Sequence, residues 1–472
     1  MTSMTMLQHW NPDDRTFWER CGAAVASRNL WLSIPALALA FAVWMLWSVV
    51  VAYLPAAGFR YSTNQLFWLT ALPALCGATL RIVYAFAVPM MGGRRFTTLA
   101  TASLLLPAIG IGLAVQDPST PFEWMVVLAL LCGLGGGNFA SSMANISFFF
   151  PSARQGYALG LNAGLGHLGV ALAQWLVPVA ISAGVFGVFS GAAQPTAHGP
   201  MWLQNAGFVW VPLILASTAA AWFGMDDLPH HQFGRAGLAE QAVIFTRKHT
   251  WLMCWLYLGT FGSFIGFSAS LPMLAQSQFQ RTDALHLVWL GPLIGALLRP
   301  LGGWLADRCG GARVTFWIFV AMACAAAAAL WCLPLPLQPG DINNSGLQRR
   351  GGQFIGFLAA FGVLFAAAGM GNGSTFRMIS SLFVAERMRR AESLPSAQAL
   401  AAKEGAVEAA AALGFASAIG AYGGFFIPKS VGSSLAMTGS AAMALALFIV
   451  FYLSCIALTW LAYSRRNAPH PC

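Results

Sequence analysis

The chain contains about a dozen continuous apolar runs that are each long enough to cross a lipid bilayer. Residues 30–55, 66–89, 208–223 and 443–463 are four examples. Only 8% of the residues are charged, whereas about a quarter are charged in soluble domains. A membrane β-barrel would instead alternate polar and apolar residues in strands of ~10 residues. The sequence therefore predicts an all-α integral membrane protein with about 12 transmembrane helices.

The formal net charge of +10 does not indicate nucleic-acid binding, because the basic residues do not form one soluble face. They concentrate in alternate short loops, for example at residues 94–95, 247–248, 387–390 and 465–466. This is the positive-inside pattern, which predicts that both termini are cytoplasmic. The nine cysteines are scattered without any CxxC spacing, so we expect no disulfide framework and no zinc site.

A polar linker divides the chain into two halves. The predicted parts are a cytoplasmic N-terminal segment (1–29), an N-terminal six-helix bundle (30–223), a cytoplasmic linker (224–249), a C-terminal six-helix bundle (250–464) and a cytoplasmic tail (465–472). Two further polar breaks interrupt the second half. We predict an extracytoplasmic loop at 335–353 and a cytoplasmic loop at 386–408.

Three motifs occur twice and in the same order, which indicates an internal repeat. The first half contains GATLR with GGRR (77–81, 92–95), GNFAS (137–141) and ALG (158–160). The second half contains the matching motifs GALLR with GGAR (295–299, 310–313), GNGST (371–375) and ALG (412–414). Two parallel six-helix repeats joined by a cytoplasmic linker are the layout of major facilitator transporters. The sequence therefore predicts the major facilitator fold, with two pseudo-symmetric six-helix bundles.

Residues 302–313 (GGWLADRCGGAR) resemble the loop motif of that superfamily. Asp307 could pair there with cations of the loop or of a neighbouring helix. We predict a cytoplasmic latch that comprises Asp307, Arg308, Arg313 and Arg95. The first-half copy has Pro89 where Asp307 stands, so we expect a different or weaker latch there.

Three arginines lie outside the loops, namely Arg81, Arg299 and Arg377. Arg81 and Arg299 each precede a loop glycine, Gly92 or Gly310, by eleven residues, which is ~16 Å along a helix and about half of a ~30 Å hydrocarbon core. An arginine at that depth costs ~2.5–3.5 kcal/mol, and the sequence offers no carboxylate at the same depth. Backbone carbonyls or a transported anion could compensate, and the planar fork of arginine suits planar oxyanions. Arg377 could line a pathway or gate, or bond helix-end carbonyls.

Longer segments resemble the nitrate/nitrite porter family (NarK type) of the major facilitator superfamily, from about residue 17 to residue 466. The segments that carry this resemblance are 24–31 (AVASRNLW), 138–151 (NFASSMANISFFFP), 260–269 (TFGSFIGFSA) and the glycine-rich signatures 160–166 and 414–428. The resemblance implies secondary transport of nitrate and nitrite by alternating access. It also implies a monomer in the lipid bilayer of the bacterial inner membrane, with no cofactor, no metal and no nucleic-acid partner.

The resemblance also assigns site residues. It places the substrate arginines at Arg81 and Arg299, an aromatic clamp at Phe139 and Phe261, and a tyrosine donor at Tyr257. Further substrate-binding positions are Asn162, His167 and Ser417, and possible pathway or gate positions are Gly164, Gly420 and Arg377. His167 departs from the family, which has a polar Asn at this place.

Two coupling modes follow from these residues. In nitrate/nitrite antiport, Arg81 and Arg299 repel each other until an anion neutralises them, so that an empty carrier cannot switch. In nitrate/proton symport, His167 carries a proton; a neutral imidazole that only donates a hydrogen bond favours antiport. We find no nucleophile, metal cluster or cofactor motif of an enzyme, and the repeat with its latch motif favours a carrier over a channel.

Overall fold

The computed structural model describes residues 7, 9–85, 87–186, 191–196, 199–228, 243–279, 283–334, 345–391 and 395–465. Within these residues, twelve helices are long and apolar enough to cross a membrane, which confirms the predicted fold class. They are α1 (Arg15–Tyr53), α2 (Thr63–Tyr84), α3 (Gly93–Ala114), α4 (Phe122–Phe149), α5 (Ala153–Ser182), α6 (Asn205–Gly224), α7 (Lys248–Phe279), α8 (Ala284–Cys309), α9 (Gly311–Trp331), α10 (Gln353–Arg390), α11 (Leu400–Thr438) and α12 (Ala442–Ser464).

Several of these helices are irregular or extend beyond the spanning part. The helical backbone begins at Ser152 before α5, at Ser345 before α10 and at Pro395 before α11. Segments of π-helix occur at Trp18–Gly22, Leu258–Gly262 and Trp460–Ser464. The remaining elements are a short helix (Ala87–Met91), two 3₁₀ turns (Val243–Thr246, Asp283–His286) and an antiparallel hairpin of β1 (Gln194–Thr196) and β2 (Gly199–Met201).

The chain forms two compact units, Met1–Ala236 and Gly237–Cys472, called here the N-terminal and C-terminal bundles. In the N-terminal bundle, α4 packs on α1, α2 and α3, while α1 packs on α5 and α3 packs on α6. In the C-terminal bundle, α10 packs on α7, α8 and α9, while α7 packs on α11 and α9 packs on α12. Each pair in the first bundle has its counterpart six helices later, which confirms the pseudo-symmetry.

Glycines bring the most extensively packed helix pair of each bundle together. A Cβ added at Gly136 of α4 would lie 2.8 Å from Gly77 Cα of α2. In the C-terminal bundle, a Cβ added at Gly369 of α10 would lie 2.1 Å from the carbonyl oxygen of Gly295 on α8. Only glycine fits such backbone contacts. Gly77 and Gly295 each lie one turn before a predicted substrate arginine, so the contacts fix the position of that turn.

The N-terminal segment differs from the prediction, because α1 begins at Arg15 rather than near residue 30. The segment is polar in composition, but it carries Trp10 and Trp18, which pack in one cluster with Val88 and Phe149. This cluster buries an apolar face that the average polarity of the segment hides.

The predicted cytoplasmic loop at 386–408 is largely helical, because α10 continues to Arg390 and the next helix begins at Pro395. Several of its charges pair with one another. Glu408 is buried and accepts from Arg387 at 2.6 Å and from Arg247 at 3.2 Å. Parts of the other predicted polar segments, at residues 1–6, 8, 229–242, 335–344 and 466–472, lie outside the described residues.

Candidate functional site

Arg81 lies on α2 and is 1% exposed. Its Nε donates a hydrogen bond of 2.8 Å to the carbonyl oxygen of Gly136. Its guanidinium carbon lies 4.7 Å from the ring centroid of Phe139 and 5.2 Å from that of Trp44. A backbone carbonyl and two π faces therefore offset part of the desolvation of this charge. The glycine contact with α4 brings the carbonyl within reach.

The phenyl ring of Phe139 contacts both Arg81 and His167 in the N-terminal bundle. The imidazole of His167 lies nearly parallel to it, at 9° and 5.8 Å between centroids, and contacts Phe41 edge-on at 4.6 Å. Arg81 contacts the same phenyl ring. A proton on His167 would therefore place a second positive charge one ring away from the guanidinium, which a low-dielectric interior opposes.

Asn162, in the first glycine-rich signature, joins three helices. Its Nδ2 donates to Ser142 Oγ at 2.8 Å, and Ser142 Oγ is 2.8 Å from Ser33 Oγ. These bonds link α5 to α4 and α1. The glycines of the same helix differ: among the described residues nothing lies within 4 Å of a Cβ added at Gly164, whereas a Cβ at Gly169 would lie 1.9 Å from the Ala38 carbonyl oxygen.

The C-terminal bundle holds Arg299, which is 5% exposed and lies 5.5 Å from the ring centroid of Phe376. Tyr257 and Phe261 are one turn apart on α7, with ring centroids 5.6 Å apart. Phe261 lies inside the π-helical segment Leu258–Gly262, a local irregularity that is common at functional sites.

The second signature packs against these rings. A Cβ added at Gly420 would lie 2.8 Å from Tyr257 Cδ1 and 3.2 Å from Phe261 Cδ1. Gly420 therefore lets α11 lie against both aromatic side chains. Ser417 donates to the Gly414 carbonyl oxygen at 2.8 Å within its own helix.

Of the two pairings that the sequence leaves open for Asp307, the structure contains the one with a neighbouring helix. Asp307 pairs with Arg377 of α10, and each side chain is about half exposed (52% and 57%). Arg308 lies over the Trp304 ring at 4.2 Å. Arg95 and Arg313 are exposed and form no ion pair within the described chain. The carboxylate thus contacts a neighbouring helix rather than the motif's own arginines, and Arg377 is at the surface rather than buried like Arg81.

The N-terminal bundle lacks both members of this pair, since the repeat places Pro89 opposite Asp307 and Met143 opposite Arg377. Asp227, just after α6, supplies a carboxylate instead. It accepts from the backbone N–H of Arg94 at 2.6 Å and lies 3.5 Å from Arg94 Nε. Sequence reasoning missed this residue, although the loss of the repeat's aspartate together with an Asp-Asp pair directly after a span was a usable signal.

Comparisons with known proteins bear on this arrangement. A family model of the Major Facilitator Superfamily matches residues 32–394. "Nitrate/nitrite transporter NarU" of Escherichia coli is 48% identical over 98% of this chain and 97% of its own length. The chain belongs to the NarK-type family of the Major Facilitator Superfamily.

Other relatives of this NarK-type chain include "Probable nitrate/nitrite antiporter NarK2" of Thermus thermophilus, which is 38% identical over 99% of this chain and 98% of that protein. Among solved structures, a bacterial homologue of the human lysosomal transporter Spinster, in an inward-facing, unoccupied conformation, has a TM-score of 0.63. It is 14% identical and covers 93% of this chain and 96% of that chain, so it supports the fold alone.

Proposed function

We propose that this NarK-type protein transports nitrate and nitrite by alternating access and exchanges one for the other. The names of the Escherichia coli and Thermus thermophilus relatives support the substrates. The observation that carries the proposal is a buried arginine at the same repeat position in each bundle. Both Arg81 and Arg299 follow a glycine helix contact and lie beside an aromatic ring.

These residues suit a small, flat, delocalised anion. A guanidinium can donate two parallel hydrogen bonds to two oxygens of nitrate or nitrite. Phe139 and Phe261 would contact the anion face and exclude water, while the Tyr257 hydroxyl, Asn162 and Ser417 would supply further polar contacts. We assign Gly164, Gly420 and Arg377 to the pathway or gate.

Exchange follows from charge. Two buried cations are unfavourable without an anion, because each loses its hydration and neither is neutralised. An anion that pairs with a guanidinium removes this penalty for that residue. The loaded carrier can then switch while the empty one cannot, which enforces antiport.

Proton symport through His167 is the second candidate. Its buried imidazole could bind a proton, but burial and the Arg81 guanidinium, which contacts the same Phe139 ring, oppose a second positive charge there. This arrangement favours a neutral His167 that acts as a hydrogen-bonding group, as an asparagine would.

The proposal includes a multi-pass position in the bacterial inner membrane, with both termini cytoplasmic and the protein acting as a monomer. The alternation of basic loops along the sequence supports the orientation. We infer transport rather than an enzyme reaction, since the family is one of transporters.

The test is counterflow in proteoliposomes that contain the full chain. Vesicles are preloaded with nitrite or left empty, isotopically labelled nitrate is added outside, and both anions are followed with and without a pH gradient. We expect uptake of nitrate only against internal nitrite and at a rate that ignores the gradient. Full uptake into empty vesicles, driven by the proton gradient, would replace antiport with symport.

A further inference from the structure

A small polar cavity lies inside the N-terminal bundle, between α1, α3 and α4. Its volume is about 10 Å³, which is room for a single water molecule. Five of its lining residues carry hydroxyl groups and a sixth carries an amide. These six are Ser33, Thr97, Thr101, Asn138, Ser141 and Ser142.

Two polar atoms that line this cavity are buried without a hydrogen-bond partner among the described residues. They are Thr101 Oγ1 on α3 and Asn138 Oδ1 on α4. Thr101 is 1% exposed and Asn138 is 6% exposed, so bulk water does not satisfy either side chain. Buried polar groups are rarely left unpaired, and two such atoms from different helices at one cavity indicate a shared ligand.

The hydroxyl groups of Ser33 and Ser142 supply a hydrogen-bond donor to the same cavity. Ser33 Oγ and Ser142 Oγ are 2.8 Å apart, and Ser142 also accepts from Asn162 Nδ2. The bond between the two serines uses one of their two protons. The other remains available to a ligand in the cavity that both serines line.

The C-terminal bundle closes part of the same region with protein atoms, although Asn372 Oδ1, the repeat counterpart of Asn138 Oδ1, is likewise buried without a partner among the described residues. Thr315, the repeat counterpart of Thr97, lies 2.6 Å from Ser374 across α9 and α10. The N-terminal bundle has Ala140 in place of Ser374. It therefore lacks this hydroxyl pair between α3 and α4, and has a polar cavity between the two helices instead.

The geometry points to a binding site for one structural water molecule, held by Thr101 Oγ1, Asn138 Oδ1 and the Ser33–Ser142 pair. The water donates to the Asn138 amide oxygen, shares a hydrogen bond with the Thr101 hydroxyl and accepts the remaining serine proton. Three such bonds are usual for a buried water. The water extends the Asn162–Ser142–Ser33 network to α3, so that four helices of this bundle are joined by polar contacts. The inference does not depend on the transported substrate.

The direct test is an experimental structure of the full chain at a resolution that shows ordered water. We expect one peak within ~2.7–3.2 Å of both Thr101 Oγ1 and Asn138 Oδ1. A dry cavity, or a direct bond between these two side chains, would overturn the proposal. A peak with shorter contacts from five or more oxygens that requires sodium would overturn it in favour of a cation.

Stability measurements give an independent test in detergent solution. Thr101→Val keeps the side-chain shape but removes the hydroxyl, and we expect the Tm to fall by about 2–4 °C. Thr70→Val is the matched control, since Thr70 is buried on α2 and its hydroxyl donates to the Phe67 carbonyl of its own helix. We expect a smaller shift for the control.

A double variant tests whether the two side chains share the ligand. If one water bonds both, Thr101→Val should lower the Tm less in an Asn138→Ala background than in the wild type. Strictly additive losses, or a loss for Thr101→Val no larger than for Thr70→Val, would contradict a shared water.

Discussion

In the N-terminal bundle Arg81 contacts Trp44 and Phe139 and donates Nε to the Gly136 carbonyl oxygen. In the C-terminal bundle Arg299 lies 5.5 Å from the ring centroid of Phe376, whose repeat counterpart is Ser142. The two arginines occupy the same position of an internal repeat. The surrounding groups have nevertheless diverged. A repeat therefore conserves where the charge lies more strictly than what surrounds it.

The ends of the bundles diverge in the same way. The C-terminal bundle pairs Asp307 with Arg377 and also buries Glu408 between Arg247 and Arg387. The N-terminal bundle uses Asp227 at the backbone start of α3. Both bundles have ion pairs between side chains, but Asp227 also accepts from a backbone N–H at a helix start, so the two ends should respond differently to substitution.

The largest effect should come from Arg81→Lys and Arg299→Lys. Lysine keeps the charge but cannot donate two parallel hydrogen bonds to the anion. Because one charge-assisted hydrogen bond contributes ~1.5–3 kcal/mol, its loss should lower the exchange rate about 10- to 100-fold in each variant. Arg81→Lys should also lower the Tm, since Arg81 donates Nε to the Gly136 carbonyl oxygen and lies beside two aromatic rings. Exchange rates and thermal unfolding of the same preparations measure both effects.

Arg313→Lys is the matched control for this pair, because Arg313 is an exposed arginine of the neighbouring motif. It should retain the wild-type rate. Exchange at the wild-type rate in Arg299→Lys would remove that residue from the substrate site. An unchanged Tm in Arg81→Lys would show that the Gly136 carbonyl oxygen and the two rings do not support that arginine.

The next effect concerns glycines in or just after the two signatures. A Cβ at Gly169 would lie 1.9 Å from the Ala38 carbonyl oxygen, and one at Gly423 would lie 2.3 Å from Gly262 Cα. Overpacking of this kind costs about 1–3 kcal/mol, so Gly169→Ala and Gly423→Ala should lower the Tm and the yield of folded protein.

Gly160→Ala and Gly414→Ala are the controls within the same helices, since within the described chain nothing lies within 4 Å of a Cβ added at either position. Both should fold with the wild-type Tm. A destabilised Gly414→Ala, or a stable Gly423→Ala, would show that the two signatures do not pack as described.

A smaller effect should separate the two latches. Asp227→Ala removes a carboxylate that accepts from a backbone N–H in the first turn of α3, and loss of such a cap costs about 1 kcal/mol. Asp307→Ala breaks a pair that is half exposed at the C-terminal end of α8, where such a pair contributes only ~0.2–1 kcal/mol and the helix dipole disfavours an acid. Thermal unfolding should therefore show the larger loss for Asp227→Ala. The reverse order would mean that the Asp307–Arg377 pair is the main support of its bundle.

The sequence predicted the fold well and the surroundings of the site less well, for a physical reason. The length of the apolar runs, the charge of the loops and the repeated motifs each depend on many residues, and together they predict twelve helices in two bundles. Asp227 acts through one backbone N–H, and Asn162 bonds Ser142 on another helix. Such contacts depend on side-chain directions that no periodicity records. Glu408 illustrates the same limit, because charge density alone predicted a loop where ion pairs between helices bury the carboxylate.

The smallest effect should come from His167→Asn, which removes the imidazole that shares the Phe139 ring with Arg81. His167 lies parallel to Phe139 while Arg81 contacts the same ring, so a neutral imidazole is electrostatically favoured and asparagine can replace its hydrogen bond. Exchange should stay within about threefold of the wild type, with the same flat dependence on pH between 5.5 and 8 in both proteins. The opposite outcome has two parts: nitrate uptake by the wild type becomes faster as the pH falls through the ordinary titration range of histidine, near ~6.5, and His167→Asn abolishes that increase. In that case the N-terminal bundle carries a proton as well as an anion contact, and symport replaces exchange.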